Sequence, residues 1–249
     1  MRRVAFLLSL PALVLTAGEV PAGLARISRT DLEGLRQIQA ALALADAPPE
    51  RKAYAEAHAA YQLVAMTRAK DPKAAEVVLD RTLKALQARR DPESLALRGA
   101  CLGLKIGFRP AAAMGLSQEA EACFREAREA APGNPRVLLF HAVHVFHTPA
   151  FFGGGAKAAL SLLEGAVKAA QSEAAPADPW VPAWGRAESL AWLAQAQLEA
   201  GDAPAAKRSL EAALALDPAY AFVRSVLAPR VEAALAAKGR TAPAVRGGR

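Results

Sequence analysis

The feature that most constrains this chain is a spacing of small and large apolar residues that returns several times along it. The clearest stretch, Ala187 to Pro218, reads AESLAWLAQAQLEAGDAPAAKRSLEAALALDP. Two amphipathic helical segments meet at Gly201-Asp202-Ala203-Pro204. A glycine there suits the end of one helix, and a proline suits the first turn of the next. With Ala187 as position 1, Leu190 and Leu193 stand at 4 and 7, Ala194 at 8, Ala206 at 20, Leu210 at 24, Ala213 at 27 and Pro218 at 32. Small residues at 8, 20 and 27 let two antiparallel helices approach, while large ones at 4, 7 and 24 fill the space between them. One hairpin cannot bury its apolar face alone, so such units must stack.

Further copies are present. Ala120, Phe124, Ala127 and Pro132 repeat positions 20, 24, 27 and 32, behind a helix predicted over Glu93 to Ile106 with Leu95 at 4 and Gly99 at 8. Another copy opens at Pro135, with Leu138 and Ala142 at 4 and 8. Its second helix, predicted over Ala156 to Gln171, puts Ala159, Leu163 and Ala166 at 20, 24 and 27. A weaker copy covers Arg51 to Arg90, where Ala75 and Leu79 fit and Thr82 replaces alanine. Alanine supplies 63 of the 249 residues. It is the strongest helix former and is depleted from strands, and no segment sustains the period-two alternation of a sheet. The fold class is all-α.

This spacing resembles the tetratricopeptide repeat (TPR), with Gln197 standing where that family usually has tyrosine. The resemblance spans roughly Arg51 to Pro218 and implies an α-solenoid of about four helical hairpins with capping helices at both ends. The implied layout is an N-terminal capping helix and linker over 23–50, the repeat array over 51–218, a C-terminal capping helix over 219–238 and a disordered basic tail over 239–249. Long connectors are predicted at Phe108 to Ser117 and at His147 to Gly155.

The chain opens Met-Arg-Arg, continues with an apolar run from Val4 to Leu15, and reaches small residues between Thr16 and Ala22. That is the pattern of a Sec-type signal peptide over 1–22, cut after Ala22, with Ala17 and Gly18 as alternative sites. The run is shorter than the roughly 20 apolar residues a membrane span needs. No cysteine near the cut offers a lipid anchor. The expected location is periplasmic or secreted, with no membrane span once the leader is removed. The net charge is +7. The leader carries +1 and the segment from Lys238 onward +4, which leaves +2 for the body. Nucleic-acid binding needs a basic patch on the folded part, so it is disfavoured. Cys101 and Cys123 stand in helical sequence, where a disulfide and a pair of buried thiols are both open readings.

Chemistry-bearing sets are sparse. His141, His144 and His147 share one predicted helix at three-residue spacing, with no acid or cysteine in that helix to complete a metal site. The expectation is structural for His141 and His144, with His147 facing the inner groove. Phe151-Phe152-Gly153-Gly154-Gly155-Ala156-Lys157 lacks the Gly-Lys-Ser/Thr of a nucleotide loop. Its glycines are expected to make a tight turn and its phenylalanines to plug the hairpin. Trp180 and Trp184, on a proline-rich connector, suit either anchoring or recognition. No nucleophile elbow, zinc-protease motif or Cys–His pairing occurs, so neither an enzyme nor a resident metal or cofactor is expected.

The TPR resemblance implies an exported adaptor that binds a protein or peptide in the concave groove lined by the first helix of each repeat. The groove positions carried over are Glu93, Arg136, Leu139, Val143, Phe146, His147, Glu188, Gln195, Leu198 and Glu199. That surface is mixed and partly apolar, unlike a basic clamp for acidic peptide ends. The alternative is a periplasmic transport accessory similar to the T-component of TRAP-type transporters, holding a solute-binding protein or a small ligand. The oligomeric state is left open.

Overall fold

The computed structural model describes residues 20–241, and every regular element among them is a helix. The leader expected over 1–22 and the tail expected over 239–249 lie outside the described residues, apart from the helical stretches Val20–Ala22 and Gly239–Thr241. Helix starts are written locally. Asp31, Asp71, Asp91, Asn134 and Asp202 each accept a hydrogen bond from a backbone N–H two or three residues on. These caps satisfy amides that have no carbonyl partner within the helix. Prolines follow directly in α4 (Pro72–Leu86), α5 (Pro92–Phe108) and α7 (Pro135–His147), where a missing N–H costs nothing.

Four hairpins follow one another: α3 (Pro49–Thr67) with α4, α5 with α6 (Ala113–Ala130), α7 with α8 (Ala156–Ser172), and α9 (Arg186–Glu199) with α10 (Ala203–Leu216). The repeating small residues sit where the helices touch: Ala120, Ala127, Ala159, Ala166, Ala206 and Ala213 are fully buried. So are Leu79, Phe124 and Leu163 at the large position 24. At Gly99 an added Cβ would lie 2.8 Å from the Phe124 ring, so even alanine is too large there. Thr82 replaces alanine at no polar cost, because its hydroxyl donates to the Val78 carbonyl at 2.9 Å. The Phe108–Ser117 connector is tighter than expected. A 3₁₀ turn over Pro110–Ala112 leads straight into α6, since the alanine run extends that helix upstream.

The N-terminal helices do not sit on the end of the stack. α1 (Val20–Leu24) and α2 (Leu32–Leu44) pack through Val20, Ile27, Leu35, Ile38 and Leu42 against Ala55 and Ala59 of α3 and against Trp180. Ala55 and Ala59 belong to the inner face of the first hairpin. Between α1 and α2, Arg29 reaches the fourth hairpin. Its guanidinium lies 3.1 Å from Glu188 and 3.0 Å from Asp217, and its carbonyl accepts the Ala221 N–H at 2.9 Å. The first and last hairpins are thereby tied together. Past Tyr220, a π-helical turn over Val223–Leu227 runs into α11 (Ala228–Thr241), which closes the far end through Val223, Leu227 and Val231.

Candidate functional site: the inner face and its open end

The inner helices α3, α5, α7 and α9 run the same way, so their N-terminal ends gather at one end of the inner face and their C-terminal ends at the other. The N-terminal end is closed. Arg136 is only 3 % exposed. Its Nε donates to Glu93 at 2.7 Å, and one terminal nitrogen donates to Glu173 at 2.8 Å and to the Trp184 carbonyl at 3.0 Å. Burial works against its charge, yet Glu173 and Glu93 outweigh that and hold the guanidinium firmly protonated. Glu188 is buried too, accepting the Gly185 N–H at 2.9 Å as a capping contact besides its pairing with Arg29. Burial raises its carboxyl pKa, with Arg29 pulling the other way. Above this ionic layer His58 stacks on Trp184 at 4.3 Å between ring centroids, and Tyr61 meets Phe140 edge-on at 5.6 Å.

The groove expected from repeat positions is therefore not an open channel. Arg136, Leu139, Val143, Phe146 and Glu188 are buried, and Glu93 is half-buried under Arg136. The reason is physical. Convergence of the inner helices and the strap formed by α1, α2 and Arg29 fill the concave side with the chain's own residues.

The C-terminal end differs. There His147 and Glu199 are exposed, and Gln195 and Leu198 half-buried. The His147 ring lies edge-on to Phe146 at 5.0 Å and to Trp192 at 5.5 Å, and Phe146 meets Trp192 at 5.6 Å. Surrounding atoms lower the His147 pKa by burial, with Arg68 adding to this and Glu199 opposing it. The imidazole is thus neutral near pH 7, with one ring nitrogen free to accept a proton or a metal. Trp192 and Arg68 were not among the expected groove residues. Trp192 falls at position 6 of its repeat and Arg68 in the connector after α3, so no groove position pointed to them.

The three histidines of α7 have different neighbours. His141 and His144 turn towards Phe124 and Glu121 of α6, His144 Nε2 lying 3.1 Å from Glu121. His147 turns towards α9. Among the described residues, no three His, Cys, Asp or Glu side chains gather as a metal site. Cys101 and Cys123 are buried and unbonded, and burial pushes the Cys101 thiol far up. Trp184 anchors its connector in the core.

The Phe151–Gly155 connector departs from expectation. Phe151 is 92 % exposed and Phe152 74 %, so neither plugs the hairpin. The loop itself is built. A 3₁₀ turn spans Ala150–Phe152, and the Phe152 and Gly154 N–H groups donate to the Pro149 carbonyl. The Gly155 N–H donates back to Val145 at 2.9 Å. Gly153 and Gly155 take left-handed φ values of 83° and 94°. A Cβ on Gly154 would fall 2.3 Å from the Thr148 carbonyl oxygen, so the glycine run is required by this turn and not by a phosphate.

No family model and no curated protein matches this chain. Among solved structures, the HusA haemophore from Porphyromonas gingivalis is similar, with a TM-score of 0.58 and 21 % sequence identity. The alignment covers 76 % of this chain and 96 % of that chain. The likeness is one of fold: a helical array of this connectivity exists as an independent protein.

Proposed function

We propose that this is an exported binding protein, not a catalyst, that takes a flat, largely apolar ligand of the haem class at the open end of its inner helices. One observation carries the reading. The neutral His147 imidazole is uncovered against a floor of Phe146 and Trp192, with Arg68 close enough to act on it and to meet an anionic edge. An aromatic wall of edge-on rings offers apolar contact to a planar ring system, and an imidazole with a depressed pKa keeps a lone pair for iron. The fold likeness to a haemophore supports the choice of ligand class.

The test is an absorbance titration of the full mature chain with haemin, alongside His147→Ala and Trp192→Ala. The expected result is saturable binding, weakened about tenfold or more in each variant. Metal-free protoporphyrin separates the two contributions, since only Trp192→Ala should weaken it. Binding that ignores both substitutions, or no binding, would sink the proposal.

The adaptor reading, with the four hairpins as TPR units, keeps one supporting observation. Gln195, Leu198 and Glu199 still offer a mixed polar and apolar strip beside the same opening. A short peptide fits that strip, whereas a long one would have to displace the strap. Export carries a corollary. Val20 is fully buried with Ile27 and Leu35, so removal of the leader after Ala17 or Gly18 keeps the core whole, and a cut after Ala22 does not. N-terminal sequencing of the exported protein should begin at Gly18 or Glu19. A start at Gly23 would show that the strap forms without Val20.

A further inference from the structure

The connectors that join inner to outer helices in the first three hairpins share one edge of the molecule, because α3, α5 and α7 are parallel and end there. That edge carries large apolar side chains in water: Met114 is 78 % exposed, and Phe151 and Phe152 still more and nearly as much. Met66, at the end of α3, adds to them. The same three segments carry Arg68, Lys70, Lys73, Arg109 and Lys157, all exposed, against a single acid, Asp71. Asp71 is engaged as the cap of α4, and Arg109 is paired with Glu76. Arg68, Lys70, Lys73 and Lys157 have no ion pair among the described residues. Between Arg109 and Gln118, and between His147 and Leu163, there is no acidic residue.

Exposed phenylalanines are costly in water unless something covers them, and large exposed apolar side chains gathered along one edge mark an interaction site. Two properties identify the cover. The Phe pair is presented outwards on a turn locked by its own backbone hydrogen bonds, as a projecting wedge and not as a groove that would receive a side chain. Across these three segments the charge is predominantly basic, with Arg68, Lys70, Lys73, Arg109 and Lys157 against Asp71. A projecting aromatic wedge on an edge rich in lysine and arginine matches the boundary between anionic headgroups and acyl chains. The fourth hairpin provides a contrast within the same molecule. Its connector, at Glu199, Gly201 and Asp202, is acidic and carries no exposed large apolar residue.

We propose that this edge docks the protein onto an anionic lipid surface, with Phe151, Phe152 and Met114 entering the headgroup region and Lys70, Lys73 and Lys157 meeting the charge. No helix among the described residues is long and apolar enough to cross a membrane, so the contact is peripheral. It adjoins the His147 opening, with Arg68 common to both, and the substitutions used below leave His147, Trp192 and Arg68 in place.

Sedimentation of the full mature chain with vesicles tests this. One set is phosphatidylcholine alone, and the other has about a third of its lipid replaced by phosphatidylglycerol. The expected outcome is partitioning to the anionic set, reduced about tenfold or more by Phe151→Ser with Phe152→Ser. A separate Lys70→Glu, Lys73→Glu, Lys157→Glu variant should lose binding to the anionic set and with it the dependence on salt. All these side chains are exposed, and circular dichroism checks that each variant keeps its helices. No partitioning by the wild type would overturn the proposal and leave an acidic protein as the cover. Partitioning unchanged by either variant would overturn it as well.

Discussion

The two ends of the inner face are built from the same helices and yet differ in almost every property. At one end the buried Arg136, Glu188 and Asp217 pair with the half-buried Glu93 and Arg29 and the more exposed Glu173, beside the His58–Trp184 stack. At the other, His147 and Glu199 stand in solvent over Phe146 and Trp192. Buried charges that are fully paired give geometry its specificity, and removing one partner strands the rest. Exposed rings and charges contribute little to folding and are available for binding. Within one array, position along the inner helices therefore divides buried support from exposed surface.

Substitutions should separate the two ends, and the largest effect falls at the closed one. Arg136→Ala leaves Glu93 and Glu173 without their shared cation. It should destabilise the protein by about 3–5 kcal/mol in urea unfolding. A loss below about 1 kcal/mol would mean the ionic layer is not what holds this end. Next is acid sensitivity. Burial, and then Arg136, depress the His58 pKa to about 3 from its ordinary 6.5. The unfolded chain thus binds the proton first as pH falls, so the stability present above pH 6.5 drains away towards pH 3. At about 1.4 kcal/mol per pH unit, the drop attributable to His58 between pH 6.5 and 4.5 is about 2–3 kcal/mol. His58→Phe, measured at both pH values, should narrow the wild-type gap by that much. An unchanged gap would assign the acid response to other groups.

A smaller effect is expected in the loop of the open end. Gly154→Ala drives a Cβ into the Thr148 carbonyl and should cost about 1–2 kcal/mol, seen as a lower melting temperature. His147→Ala and Phe151→Ser sharpen the comparison from the other side. Each should shift stability by no more than about 0.5 kcal/mol while altering binding at the opening or at the lipid surface. Strong destabilisation by either would make the open end structural after all.

Much of the architecture was legible in the sequence, because local rules and global packing agree there. Asp91-Pro92, Asn134-Pro135 and Asp202 announce helix starts, and Ala120, Ala159 and Ala206 announce the contact between paired helices. The inner face was not legible. Repeat numbering assigned Arg136 and Glu188 to the groove, and both are buried. It had no means of showing that Arg29, from the far end of the chain, would meet Glu188. Nor did a charged residue at a groove position show whether its counter-charge lay inside the molecule. Phe151 and Phe152 were misread for a related reason. Two adjacent phenylalanines look like core, and only the turn made by Gly153, Gly154 and Gly155 decides that they point outwards.

The contact of Arg29 with Asp217 and Ala221 has a consequence for how the molecule assembles. In an open stack each hairpin answers only to its neighbours, so folding can begin anywhere and follow synthesis from the N-terminus. Here the earliest-made segment waits for the last hairpin before its arginine finds a partner. Contacts of such long range slow folding, since the intervening chain must be ordered first. A chain whose strap closes only when its final repeat is present stays unfinished while it is being made. If the chain is exported as proposed above, that delay keeps it threadable until the clasp shuts on the far side.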